Sequence, residues 1–391
     1  MQFRLNEGEG ECIYQIGFDD NGDAIGIPED GMKKSLLTLE NMAKELQAIT
    51  TVLRVRTGKT GPSSRTAEVL VRLKPNSVHG SIELRVAVVG NVDSGKSTLI
   101  GVLTKGGLDN GRGSARSHCF RHKHEIDSGR TSSVAHGCLG FGTSGEVTNY
   151  TFIETVKAKG GEFKKAADGA APPAARPRSM TDVLVNSTKL VNFIDLAGHE
   201  KYLKTTVFGL TGNMPDYSMI MLGANMGVQR MTKEHLGITL ALQLPVFVVI
   251  TKIDIAPKQV RINTIKRMKA ILKSPGAGKK LPYMMKNEDD IVNCAKNMCE
   301  GGRLVPMLQI SNVTGEGLNL LRLFLNLLPS KQEWKKATSD SVEFCIDDSF
   351  QVTGVGTVVS GNMFKGSVDC SNSKQRIEML LGPDEFGEFK S

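Results

Sequence analysis

Nine residues constrain this chain more than any other stretch: Gly90, Asn91, Val92, Asp93, Ser94, Gly95, Lys96, Ser97 and Thr98. They fit the pattern G-x-x-x-x-G-K-[ST], and their setting fits as well. Residues 83–89 (ELRVAVV) read as a buried strand, and residues 98–103 (TLIGVL) as the start of a helix. A strand that turns into a helix through glycines aims several backbone N–H groups at one anion, and the helix adds its positive end. Lys96 supplies a point charge for β- and γ-phosphates, and the Ser97 hydroxyl is placed for Mg²⁺. The loop predicts a nucleoside triphosphate. It names neither the base nor the use.

At 391 residues the chain is long enough for two or three domains. With 40% hydrophobic and 23% charged residues it has the composition of a soluble globular protein. No apolar run approaches the roughly 18 residues of a membrane helix. The N-terminus, MQFRLNEGEGE, lacks the basic and then apolar regions of a secretory signal. Seven cysteines are scattered without a C-x-x-C, which argues for reduced thiols inside a cell. A net charge of +8 permits an RNA-rich partner and equally a lysine-rich solvated surface.

Residues 1–82 read as a small α+β module. Residues 12–18 alternate like a strand and Asn21-Gly22 marks a turn. Residues 30–48 carry Leu39, Met42, Ala43 and Leu46 on one helical face, and residues 51–55 and 67–73 read as two further strands. The module holds no catalytic constellation; its role as an adaptor or a cap is open. Residues 83–330 then alternate strand and helix, which predicts a parallel sheet covered on both faces. Later strands are expected at 190–196, 217–222, 246–250 and 304–310, and helices at 201–210, 232–242, 258–272 and 317–327. Residues 157–180 (KAKGGEFKKAADGAAPPAARPRSM) are rich in Ala, Gly, Pro and Lys and read as a flexible insertion. After a charged linker at 331–340, strand-like runs at 342–346, 356–360 and 377–381 predict an all-β segment, 341–391. It is too short to close a barrel, so either it is truncated or its missing strands come from elsewhere.

Three further motifs follow predicted strands, at the strand ends where open α/β sheets bind ligands. In Asp195-Leu196-Ala197-Gly198-His199, the carboxylate can hold Mg²⁺ through water and Gly198 can offer its N–H to a γ-phosphate. In Thr251-Lys252-Ile253-Asp254, the Asp254 carboxylate can accept hydrogen bonds from guanine N1–H and N2–H₂. Adenine has no such donor pair and would leave the charge unpaired. The Lys252 stem can lie along the base. In Ser311-Asn312-Val313, the backbone can reach guanine O6. The four motifs in this order, each after its own strand, predict a GTP/GDP site.

This order resembles the GTPase domain of translational GTPases, the elongation factor Tu class. The resemblance makes His199, directly after D-x-x-G, the positioner of the attacking water. It matches Ser128-Gly129-Arg130-Thr131 to the first switch, so that Thr131 joins Ser97 and Asp195 as Mg²⁺ ligands. It matches Val92 to a hydrophobic gate and Asp93 to the loop aspartate, and it matches residues 354–361 (GVGTVVSG) to the signature of the β-barrel second domain. The phrases LDNGRG, FRHKHEIDSGRTSS, FIDLAGHEKYLKTT, TKEHLG and SNVTGE are similar to the GTP-binding protein 1 and GTP-binding protein 2 family, as are residues 11–82. The resemblance implies an α/β fold: a P-loop GTPase domain with a mostly parallel sheet, after a small α+β module and before an incomplete β-barrel. It also implies a cytoplasmic GTP-hydrolysing enzyme that acts with ribosomes and aminoacyl-tRNA, and it leaves open a part in ribosome rescue or mRNA turnover. Nothing points to DNA, a membrane or an oligomer. The alternatives are a regulatory GTPase with a protein effector, and a fragment that binds GTP without delivering tRNA.

In the proposed hydrolysis Lys96 offsets developing charge, Gly198 binds the γ-phosphate and His199 orients the water. The sequence departs from the general pattern at two places. Thr251 stands where most GTPases have Asn, and one hydroxyl cannot make both bonds of an amide, so lower affinity is expected. Arg130 replaces an isoleucine and is either solvated charge or a transition-state partner. His118, Cys119, His122 and His124 crowd one stretch. Their spacing fits no standard zinc pattern, which favours a basic face.

Overall fold

The computed structural model describes residues 1–74, 81–120, 125, 131–152, 175–298, 302–331, 340–368, 378–384 and 387–390. Two compact units are formed, Met1–Gln332 and Glu333–Ser391. In the first, β1 (Glu11–Ile16), β2 (Ile27–Pro28) and β3 (Ala48–Thr57) all pair antiparallel with β4 (Ser64–Leu73). Next come β5 (Ile82–Gly90) and β6 (Ala135–Phe141), then the two-stranded ribbon of β7 (Tyr150–Phe152) and β8 (Ala175–Pro177). They are followed by β9 (Lys189–Asp195), β10 (Tyr217–Gly223), β11 (Val246–Thr251), β12 (Leu281–Met284) and β13 (Leu304–Gln309). The large sheet runs β12-β13-β11-β10-β5-β9-β6, parallel except for β6, which is antiparallel to β9.

The period-two alternation of the central strands sorts their side chains into two cores. Leu84, Val86 and Val88 of β5 join Met219 and Met221 of β10 and Phe247 and Val249 of β11 on one face, covered by helices Lys96–Lys105, Glu288–Asn297 and Leu318–Leu327. Ala87, Val89, Ile220, Leu222, Val248 and Ile250 face the other way, against helices Leu203–Gly212, Arg230–Ala241 and Lys258–Lys273. Both faces of these strands are therefore apolar, and the loops that follow β5, β9, β11 and β13, which carry the four motifs, leave the parallel strands at the same end.

Strand β4 is buried along most of its length because it is covered twice. Val69 and Val71 pack on helix Glu29–Glu45, whereas Leu70 enters the core of the large sheet. The expected helical face is only partly right: Met32, Leu39 and Ala43 are buried but Met42 is exposed, and residues 46–48 leave the helix, since Ala48 opens β3.

Three buried charges lock the contact. Glu11 accepts from Arg72 Nη2 at 2.7 Å and from Lys189 Nζ at 2.6 Å, and Lys189 also donates to the carbonyls of Asn326 and Leu328. Burial alone would raise the Glu11 pKa, but the charges of Lys189 and Arg72 outweigh it and hold it below the usual 4.5. The stability tied to Glu11 is therefore present above that value and drains as pH falls below it. Glu11→Gln should cost about 3–5 kcal/mol by stranding two buried cations. The check is a lower thermal midpoint near neutral pH, with the difference from wild type shrinking in acid.

Some elements differ from expectation. The interior of the expected insertion, 157–174, lies outside the described residues, but its last residues are not linker. Ala175–Pro177 pairs as β8, and Ser179 caps helix Met180–Asn186 by accepting from the Asp182 N–H. The Ser179-x-x-Asp182 spacing is a capping signal that the alanine- and proline-rich composition masked. Strand β12 and helix Glu288–Asn297, capped by Asn287, were also not anticipated. In the second unit, β14 (Glu343–Val352) and β15 (Gly356–Lys365) form an antiparallel hairpin. Of the strand expected at 377–381, residue 377 lies outside the described residues and 378–380 are not in a strand; Leu381 makes an isolated bridge with Lys390, and Pro383 has no N–H to extend a ladder. No closed barrel is present among the described residues, and none of their helices is long and apolar enough to cross a membrane.

Candidate functional site

Helix Lys96–Lys105 starts inside the loop that follows β5, so Lys96 and Ser97 sit in its first turn, buried under the sheet edge. Lys96 Nζ donates to the carbonyls of Gly90 at 3.2 Å and Asn91 at 3.1 Å. Burial pulls its pKa down, opposed by Asp195 and Asp93. Gly198 closes over this ammonium: a Cβ there would stand 2.5 Å from Lys96 Nζ and 2.6 Å from the Gly90 oxygen, so the approach requires glycine. Val92, Asp93, Gly95, Lys96, Ser97, Thr98, Thr131, Gly198 and His199 line one cleft, with Arg116. His199 Nδ1 accepts from the Lys201 N–H at 3.1 Å, which leaves the proton of a neutral ring on Nε2.

The adjoining cleft, about 260 Å³, is lined by Lys252, Asp254, Asn312 and Val313 and by loop residues from Asp109 to Arg116. Asp254 Oδ1 accepts from Ser311 Oγ at 2.7 Å, and Ser311 Oγ in turn accepts from the N–H groups of Val313 and Thr314. The carboxylate is thus fixed in orientation by the loop after β13. Thr251 and Ser311 are fully buried and stand behind the clefts. The Thr251 hydroxyl donates to the Ser94 carbonyl at 2.7 Å, tying this end to the phosphate loop. Asp93 and Lys252, both non-glycine, take φ of 59°, a costly conformation that clusters at binding sites. Asn91 and Ser94 face a smaller pocket on the far side of the loop.

A divalent cation has a fitting set of donors. Ser97 Oγ donates to Asp195 Oδ2 at 2.5 Å and lies 2.8 Å from Thr131 Oγ1. Asp195 Oδ1 is buried with no hydrogen-bond partner among the described residues. Burial pushes this carboxyl up to about 6, against the pull of Lys96 and Ser97. An uncompensated buried oxygen beside two hydroxyls suits a hard cation that takes oxygen ligands. Within the crowded stretch at 118–124, Cys119 donates through Sγ to the Ser97 carbonyl at 3.3 Å, and burial raises its thiol to about 12. Among the described residues no group of three His, Cys, Asp or Glu could hold a metal. His122, His124, Ser128, Gly129 and Arg130 lie outside those residues.

The spatial order of these loops agrees with the sequence comparison. Residues 83–330 match the elongation factor Tu GTP binding domain family. The chain belongs to that family. GTP-binding protein 1 of Xenopus laevis is 46% identical over 391 residues, spanning 100% of this chain and 55% of that protein. GTP-binding protein 2 of Homo sapiens is 42% identical over 394 residues, 100% of this chain and 60% of that protein. The selenocysteine-specific elongation factor of Methanocaldococcus jannaschii is 30% identical over 183 residues, 47% of this chain and 34% of that protein. The chain therefore spans little more than half the length of the first two relatives.

Within this elongation factor Tu-type domain, the loop at 109–116 carries the LDNGRG phrase of the resemblance, but its place in the cleft lining was not anticipated. Asp109 is buried and its N–H donates to the Asn312 carbonyl at 2.9 Å. Its carboxylate accepts from the N–H groups of Gly111, Gly113 and Ala115. The run Asp-Asn-Gly-Arg-Gly carried that signal, since an Asp followed by glycines favours such side-chain-to-backbone turns.

Proposed function

We propose that this chain binds GTP and GDP and hydrolyses GTP to GDP and phosphate, as the nucleotide-driven switch of an elongation-factor-like protein in translation. One observation carries the nucleotide reading: a fixed carboxylate suited to guanine and a buried lysine suited to phosphates lie in adjoining clefts that share Asp93, Gly95 and Thr98 of the Gly90–Thr98 loop, with Arg116. Gly90, Asn91, Val92, Asp93, Ser94, Gly95, Lys96, Ser97 and Thr98 form the phosphate cradle. Asp254 selects guanine, Lys252 lies along the base, and Ser311, Asn312, Val313 and Thr251 hold this end in place. Ser97, Thr131 and Asp195 would hold Mg²⁺, which when bound neutralises phosphate charge.

Water attacks the γ-phosphorus in line, the bond from that phosphorus to the β–γ bridging oxygen breaks, GDP leaves, and the transferred group with the water oxygen becomes inorganic phosphate. Lys96 and the Gly198 N–H stabilise charge on the transferring group. His199, with Nδ1 committed to the Lys201 N–H, offers Nε2–H to orient the water and does not start as its base. Release of the γ-phosphate would free the segments holding Thr131 and Gly198, which is the conformational output. Ribosomes and aminoacyl-tRNA are the proposed partners, in a cytoplasmic setting. Helix Lys258–Lys273 supports this with Lys258, Arg261, Lys266, Arg267, Lys269 and Lys273 and no acidic residue. The test is GTP hydrolysis with and without ribosomes. GTP bound in preference to ATP, and turnover raised by ribosomes, is the expected result. Guanine-selective binding with no stimulation would remove the translation role and keep the nucleotide site.

A further inference from the structure

The two clefts meet along a short common wall made by Asp93, Gly95, Thr98 and Arg116. One cleft contains Lys96, Ser97 and His199, the other Lys252 and Asp254. Any nucleotide with its base against Asp254 and its terminal phosphate against Lys96 must lay its inner phosphates across that wall. Arg116 is the one cationic side chain there. Its guanidinium has no ion pair among the described residues, and it lies over Gly113, where a Cβ would stand 2.6 Å from Nε.

Its backbone is held by contacts on two sides. Asp109, the nearest acid in sequence, is committed to the N–H groups of Gly111, Gly113 and Ala115 and to the Ser114 hydroxyl, so it shapes the loop rather than pairing with the guanidinium. The loop is braced on one side by the Asp109 N–H to Asn312 carbonyl bond. On the other, the turn Ser114–His118 presses on helix Lys96–Lys105 so closely that a Cβ on Gly101 would lie 2.0 Å from the Ala115 oxygen. A fork of guanidinium donors held on such a support matches phosphate oxygens in a bidentate way, which a lysine point charge cannot do.

On the guanine-nucleotide reading above, we propose that Arg116 is a phosphate clamp of this site, gripping the inner phosphates that GDP and GTP share. A residue acting on the γ-phosphate or only in the transition state would leave GDP binding untouched, so GDP is the deciding probe. Dissociation constants for GDP and GTP are measured by calorimetry on the full chain, for wild type, Arg116→Ala and Arg116→Lys. The clamp predicts that Arg116→Ala weakens both nucleotides alike, by about tenfold or more, with Arg116→Lys in between. It is overturned if GDP affinity of the variants stays within about twofold of wild type, or if GTP alone is weakened. The lysine variant and a thermal midpoint keep the comparison valid should the alanine variant fold poorly. A wild-type chain that binds neither nucleotide removes the nucleotide reading itself and the clamp with it. Strong wild-type binding with an indifferent Arg116 removes the clamp alone.

Discussion

Asp254→Asn should lose most of its preference for GTP over ATP, with guanine affinity down by about a hundredfold or more. The carboxylate offers two acceptors to the two donors on the guanine edge. An amide offers one acceptor and sets an N–H₂ against a guanine donor. Hydrogen bonds to a charged group contribute about 1.5–3 kcal/mol each, and the guanine donor left facing the amide adds its own desolvation cost. The fold should survive, because an asparagine oxygen can still accept from Ser311 Oγ, 2.7 Å from Asp254 Oδ1. Competition binding with GTP and ATP measures the change. An unaltered preference would mean that Asp254 does not read the base.

His199→Ala should lower ribosome-stimulated GTP hydrolysis by about a hundredfold or more, with GTP affinity within a few-fold of wild type. The ring lines the phosphate cleft, half-buried beside Tyr202, with centroids 6.2 Å apart. Its Nδ1 is already used by the Lys201 N–H, so the turn Glu200–Tyr202 aims the ring. Losing it removes an interaction made as the water is positioned and leaves the cradle of Lys96 and Gly198 in place. Single-turnover hydrolysis beside equilibrium binding separates the two effects. Wild-type turnover in the presence of ribosomes would show that His199 has no part in the reaction.

The candidate site could be read in the sequence because its chemistry is local. Lys96, Asp254 and His199 each lie within a few residues of a strand end, and a parallel sheet gathers its strand ends at one edge without further instruction. Period-two alternation in β5, β10 and β11 is similarly local. What escaped the sequence depends on contacts between distant segments. Arg116 lines both clefts on a loop whose Asp109 meets Asn312, residues 109 and 312 being brought together only by the fold. Strand β8 pairs across a long excursion from β7, and nothing in Ala175-Arg176-Pro177 alternates. The Thr251 hydroxyl looked like a weakened base contact; its partner, the Ser94 carbonyl, is a backbone atom that no motif displays.

The charge cluster of Glu11, Arg72 and Lys189 carries a consequence for any dissection of this protein. The recognisable nucleotide-binding segment begins at residue 83, yet Lys189, wholly enclosed in β9, finds its carboxylate at residue 11. A chain cut at the edge of the homology would keep every loop that lines the two clefts and still carry an orphaned ammonium next to the sheet. It would also bare the surface that Leu70 covers. The smallest piece that keeps this sheet intact is thus set by an acid far upstream of the Gly90–Thr98 loop.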